Sequence, residues 1–252
     1  MAVCVILLIF CFCTGSTAQT TASTVLTQMA SATGWNKHTV PNDVIATGTV
    51  TRLSRPSPDT VDIVVKSKGQ RLFRLEVQNG SYVTIVKDDQ VVAQNPTGAR
   101  LLPISAAISI QPFVFPFYSD LADFQDPHVV LQYASLDTVN GRAAYRVEVI
   151  RQPDASDANA ARHRQVQRTT VWISADTFLP LQIATPAVAE DNPSSVATRY
   201  IRFSDYRNVG GLQVPFRQEE FVNSSPVSII QLSDVRFNVG LSAADFSFPA
   251  VQ

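Results

Sequence analysis

Residues 70–88, QRLFRLEVQNGSYVTIVKD, decide the fold. Two runs that alternate apolar and polar residues meet at Asn79-Gly80. Both turn residues tolerate positive φ, and this arrangement is the strongest short-range signal for a β-hairpin. Outward from the hairpin the period of two continues in DVIATGTVTRL (43–53), DTVDIVVKS (59–67) and QVVAQ (90–94), with Val61, Ile63 and Val65 set against polar partners. Pro56-Ser57-Pro58, Lys68-Gly69 and Asp88-Asp89 punctuate these runs, so the segment predicts an antiparallel meander.

Ahead of the meander lies STVLTQMASATGW (23–35). Val25, Leu26, Met29 and Ala32 fall at helical spacing, Ser23 is placed to cap the helix and Gly34 to stop it. Between Asn95 and Pro127 the alternation ceases. QPFVFPFYSDLADF (111–124) crowds Phe113, Phe115, Phe117, Tyr118, Leu121 and Phe124 around Pro112 and Pro116. A helix interior rejects the second proline and a central strand rejects both, so short helical pieces are expected here. Alternation returns in HVVLQYASLDTV (128–139) and GRAAYRVEVIR (141–151), where Ala143, Tyr145, Val147 and Val149 share a face and Asn140-Gly141 supplies the turn. After a polar loop, QRTTVWIS, LPLQIA, VATRYIRFSDY, LQVPFRQEEFV and PVSIIQLSDVRFN read as further strands, and AADFSFP forms a tail.

The expected fold is mainly β with a few helices: a strongly curved antiparallel sheet, an incomplete β-barrel of about ten to eleven strands, since open sheets of that size curl. One face of such a sheet is apolar and must be covered. The N-terminal helix and the aromatic stretch, as a short helical lid, are the available covers. No repeat or linker divides the chain, which predicts one domain over residues 19–252.

The first residues carry an apolar run from Val3 to Cys13 followed by Ser16-Thr17-Ala18, a small-x-small cleavage pattern. The run is shorter than the roughly 20 residues a spanning helix needs, and predicts a secretory signal peptide over residues 1–18. No Lys or Arg precedes it. All three cysteines, Cys4, Cys11 and Cys13, fall in this leader. The mature chain then has no disulfide and no thiolate metal site, and is expected to be exported to the periplasm and soluble there.

The chain has 252 residues, 45% of them hydrophobic and 16% charged, with a formal net charge of -1. That balance excludes a basic face of the kind that displaces counterions from phosphates, and with it a dedicated nucleic-acid binder. His38, His128 and His163 form no HExxH and no pair at ligand spacing. There is no G-x-S-x-G elbow and no phosphate-binding glycine loop. Glu219 and Glu220, adjacent in a strand, point to opposite faces and share no substrate. Asp120, Asp123 and Asp126 lack the calcium-loop pattern and read as caps or a wet face. The Arg162, His163, Arg164 and Arg168 cluster reads as a solvated loop. Asn79-Gly-Ser and Asn223-Ser-Ser fit the glycosylation acceptor but read as turns, and Trp35 and Trp172 as packing residues. No enzyme, cofactor or metal site is expected.

Three phrases resemble those of LolA-like periplasmic lipoprotein carriers: VWISADTFLPLQI (171–183), YIRFSDYRNVGGLQVPFRQEEF (200–221) and LSDVRFNVGLSAADFSFP (232–249). With the order helix, meander, proline-rich lid, meander, the resemblance spans most of residues 23–249. It implies a half-barrel whose hydrophobic interior holds acyl chains beneath a helical lid, and an exported carrier of lipid or lipoprotein acyl chains. The partners it implies are those acyl chains, with envelope membrane proteins as donor and acceptor, and the chain is expected to act as a monomer. The candidate ligand-binding residues are Phe113, Phe115, Phe117, Tyr118, Leu121 and Phe124 of the lid, and Ile63, Val65, Phe73, Leu75, Tyr145, Val147 and Val149 of the sheet. The alternative is an envelope scaffold or interaction module with a filled core, whose edge strands recruit a peptide.

Overall fold

The computed structural model describes residues 21–35, 41–53, 56–69, 72–87, 90–102, 124, 126–152, 168–188 and 196–249. The leader, the loop arginines 162 and 164, and Phe113, Phe115, Phe117, Tyr118 and Leu121 lie outside them.

Six strands form the first meander: β1 (Asp43–Arg52), β2 (Asp59–Lys68), β3 (Leu72–Val77), β4 (Tyr82–Lys87), β5 (Gln90–Asn95) and β6 (Gly98–Leu102). Seven form the second: β7 (Val129–Val139), β8 (Arg142–Arg151), β9 (Arg168–Ser174), β10 (Pro180–Val188), β11 (Val196–Val209), β12 (Leu212–Val222) and β13 (Ser225–Phe237). All thirteen join one antiparallel sheet in the order β6-β5-β4-β3-β2-β1-β13-β12-β11-β10-β9-β8-β7. Consecutive strands lie side by side everywhere but at β6 and β7. β1 pairs with β13 in the middle of the sheet, while β6 and β7, consecutive in the chain, are its two edges. Residues 103–128 therefore join one edge to the other, and the sheet is curved but not closed into a barrel.

The sheet exceeds the expected ten to eleven strands. One addition is β6, which occupies part of the segment expected to be helical. GARLL does not alternate cleanly, yet Asn95 Oδ1 accepts from the Thr97 and Gly98 N–H groups and turns the chain into a hairpin with β5. The Asn79-Gly80 and Asn140-Gly141 turns form as expected, with Asn79 at φ 54° and Asn140 at φ 49°.

Helix α1 (Ala22–Ala32) begins two residues earlier than expected. Thr21, not Ser23, is the N-cap, its hydroxyl accepting from Thr24 N. The C-terminus is a Schellman turn: Trp35 N donates to Ala30 O and Gly34 N to Ser31 O. Gly34 sits at φ +73°, and a Cβ there would lie 2.1 Å from the Gly211 carbonyl oxygen of the β11–β12 turn. Gln213 N donates to Thr33 O across the same junction. The helix end is thus locked to the sheet.

The period of two sorts the inner face into two apolar clusters. Val44, Ala46, Ile63, Val65, Phe73, Val86, Val91, Leu212, Val214, Phe216, Ile230, Leu232 and Val235 form the first, in the half of the sheet around β1. The second gathers Val25, Leu26 and Met29 of α1 with Phe124 onto Val147, Val149, Val171, Ile173, Ile183, Ile201 and Phe203. Trp35 packs against both. On the outer face a 3-10 turn, Ala243–Phe246, drops the fully buried Phe246 onto Val83 and Ile85. The chain leading to it is held by buried Asp43, whose carboxylate accepts from Val239, Gly240 and Leu241 N–H.

Candidate apolar binding trough

Among the described residues the two halves of the inner face are covered differently. Over β8–β11 the apolar stripe of α1 and Phe124 fill the concavity, so Val147 and Val149 are fully buried there and Tyr145 packs at the margin, stacked on Phe178 with centroids 5.9 Å apart. Over β1–β3 and β13 a cavity of about 210 Å³ stays open, lined by Val50, Arg52, Ile63, Leu75, Val77, Ser228 and Ile230. Typical ligand pockets run about 300–1,000 Å³; this trough suits a narrow guest.

Sheet register explains why these residues meet. In β1 and β2, Val50 opposes Val61, Gly48 opposes Ile63 and Arg52 opposes Asp59. In β1 and β13, Thr47 opposes Asp234 while Gly48 opposes Leu232, which leaves Ser233 as an extra residue and makes a bulge. At Gly48 a Cβ would fall 2.2 Å from the Gln231 carbonyl oxygen, so only glycine permits this approach. A bulge of this kind raises the local twist of the sheet, and Gly48 brings no side chain against Ile63, its partner across β1 and β2.

One end of the trough is polar. Arg52 donates Nε to Asp59 Oδ1 at 3.0 Å and Nη2 to Oδ2, a bidentate pair on the inner face. Ser228 Oγ donates to Glu220 Oε2 at 2.9 Å, and Arg199 Nε donates to Glu220 Oε1 at 2.6 Å. Arg199 is only 5% exposed, and burial pulls its guanidinium below the ordinary arginine value while the Glu220 carboxylate opposes that shift. Such a pair is costly to desolvate and is kept charged by its hydrogen bonds. As expected, Glu220 and Glu219 diverge: Glu219 pairs with Arg217 on the other face.

Of the candidate residues, the structure brings Ile63 and Leu75 to the trough. It places Val65 and Phe73 in the packed cluster beside it, and Tyr145, Val147, Val149 and Phe124 in the separate cluster under α1. Sequence reasoning missed Arg52, Asp59, Ser228, Glu220 and Arg199. The signal was available: Asp59 has the parity of Val61 and Ile63, and Glu220 that of Phe216 and Gln218. Elsewhere, Asp126 caps a turn, accepting from His128 N, and pairs with Arg151. Arg168 is largely exposed, 3.7 Å from Glu148. Trp172 lies on the outer face, its indole N–H donating to Asp137, and Asn79 and Asn223 both sit in turns. Among the described residues no group of His, Cys, Asp or Glu could hold a metal ion, and no helix is long and apolar enough to cross a membrane.

No family model matches the chain, and no curated protein matches its sequence. Its architecture does match solved structures. A LolA superfamily protein from Nitrosomonas europaea is 15% identical, with a TM-score of 0.57 over 91% of this chain and 98% of that one. An outer-membrane lipoprotein-sorting protein domain from Vibrio parahaemolyticus is 14% identical, with a TM-score of 0.58 over 90% and 95%. A DUF1329 family protein from Desulfovibrio piger is 16% identical, with a TM-score of 0.59 over 92% and 98%. The thirteen-stranded open sheet and its packed helix are the LolA-like fold.

Proposed function

We propose that the chain is an exported, non-enzymatic binding protein that holds a hydrophobic chain in the trough between β1–β3 and β13. The observation that carries this is the unequal covering of one inner face: α1 fills the β8–β11 half, whereas Val50, Ile63, Leu75, Val77 and Ile230 line open space. An apolar guest gains roughly 25 cal/mol for each Å² of surface removed from water, with no catalytic group required. Likeness to a lipoprotein-sorting domain and a LolA superfamily protein supports acyl chains of lipid or lipoprotein as the guest and the periplasm as the compartment. On this account the protein works alone, as a single domain over residues 19–252 after removal of residues 1–18, and its partners are the envelope membrane proteins that give or take the cargo.

A second reading has its own observation. Leu101 on edge strand β6 and Leu136 on edge strand β7 are 61% and 63% exposed. An unpaired edge with an exposed leucine is a place for a peptide to add a strand. Native mass spectrometry with lipid extraction, on protein purified from a bacterial envelope, separates the two. Co-purifying acyl lipid that exchanges with added amphiphile supports the trough. A ligand-free protein that also binds no hydrophobic probe overturns it and leaves the edge-strand module.

A further inference from the structure

The trough is graded along its length. Its lining comes largely in cross-strand pairs: Arg52 with Ser228, Val50 with Ile230, and Ile63 with Val77. The first pair is polar and the other two are wholly apolar. On β1 the inward positions step from Arg52 through Val50 to Gly48, and Gly48 opposes Ile63. The Ile63–Val77 pair therefore stands at the end away from Arg52. Asp59 steadies the Arg52 guanidinium by accepting from Nε and Nη2. A guanidinium has five N–H donors, so others remain for an oxygen atom at that end, whereas Ile63 and Val77 present only carbon. Volume sets the second limit. A dry apolar cavity of about 150 Å³ takes up benzene, with its six carbons, and on that scale a trough of about 210 Å³ takes roughly eight or nine.

We propose that the trough admits one unbranched alkyl chain, and no second, to a depth of roughly eight or nine carbons. The oxygen-bearing end of the chain lies beside Arg52 and Ser228, and its hydrocarbon runs past Val50 and Ile230 toward Ile63 and Val77. Two chains side by side need about twice the room, so a cargo that carries several chains is held by one of them. Carbons past the filled depth stay in water and add nothing, because the gain comes only from apolar surface removed from water. The proposal rests on the trough being a ligand site and adds how many chains it takes, how deep, and which way round.

The test is competition for bound N-phenylnaphthylamine by the straight-chain 1-alkanols from hexanol to dodecanol, each below its solubility limit. Affinity for the native protein is expected to rise about fourfold with each added methylene, the worth of one buried CH₂. It is expected to level off at roughly eight or nine carbons. 1,2-Dioctanoylglycerol is expected to compete less than about tenfold better than 1-octanoylglycerol, its second chain remaining in water. Val77→Phe, which fills the end away from Arg52, is expected to weaken decanol about tenfold and hexanol far less. A rise that continues beyond decanol, or a second chain that adds tenfold or more, overturns the one-chain assignment and leaves the trough standing. Equal weakening of hexanol and decanol by Val77→Phe overturns the orientation. Failure of every alcohol to compete overturns the trough, and the one-chain assignment with it. The series on the native protein decides the depth and the chain count even where the variant does not fold.

Discussion

At the scale of single residues, two carboxylates do different work. Asp43 is buried and satisfies three consecutive backbone N–H groups of the C-terminal segment. Asp43→Ala leaves those donors without their acceptor and is expected to cost about 2–4 kcal/mol, the range for losing charge-assisted bonds at a buried site; urea unfolding measures it. Asp137 accepts from the Trp172 indole and from Thr138 N, and those bonds, the indole's first, hold its pKa below the ordinary aspartate value. Because the folded value is the lower one, its contribution is complete above the unfolded pKa and lost as pH falls through the folded pKa. Trp172 emission in a Trp35→Phe background should therefore stay constant from neutral pH down to the ordinary aspartate range and change only below it. Asp137→Asn should remove that acid-dependent step, since an amide oxygen still accepts the indole N–H but does not titrate.

At the scale of elements, glycines mark the junctions that alternation alone does not reveal. Gly34 needs both its positive φ and the absence of a Cβ, because the Gly211 carbonyl lies 2.1 Å from where that atom would be. Gly69 needs only the φ, +56°, with open space around it. Thermal unfolding should rank Gly34→Ala at roughly 2–4 kcal/mol of destabilisation and Gly69→Ala near about 1 kcal/mol, the left-handed backbone term alone. This difference also shows what was legible in the sequence. Val61, Ile63 and Val65, with the Asn-Gly turns, announced strands and hairpins because side-chain parity and positive φ are local properties. The β1–β13 pairing, the bulge at Gly48 and the seating of Gly34 on Gly211 join residues nearly two hundred positions apart, so no window of sequence contains them. Strand β6 escaped because two adjacent leucines blurred its period. The polar end of the trough escaped because each member looks like an ordinary polar surface residue until register places it opposite its partner.

At the scale of the whole molecule, one long sheet carries two differently filled halves among the described residues. The α1 stripe of Val25, Leu26 and Met29 closes the β8–β11 half, while among the described residues a cavity remains over β1–β3 and β13. Fold class, the N-terminal helix and the parity that sets Ile63 and Leu75 on the inner face were legible beforehand. The unequal filling was not, because it depends on which half the helix lands on. A titration of N-phenylnaphthylamine fluorescence into the native protein, Leu75→Trp and Leu136→Ser tests it most directly. The native protein and Leu136→Ser should bind the probe saturably with equal affinity. Leu75→Trp, which fills the trough at a half-buried position, should weaken binding about tenfold or more for a stability cost of about 1–3 kcal/mol. An absence of saturable binding to the native protein, or undiminished binding to a folded Leu75→Trp, would contradict the account.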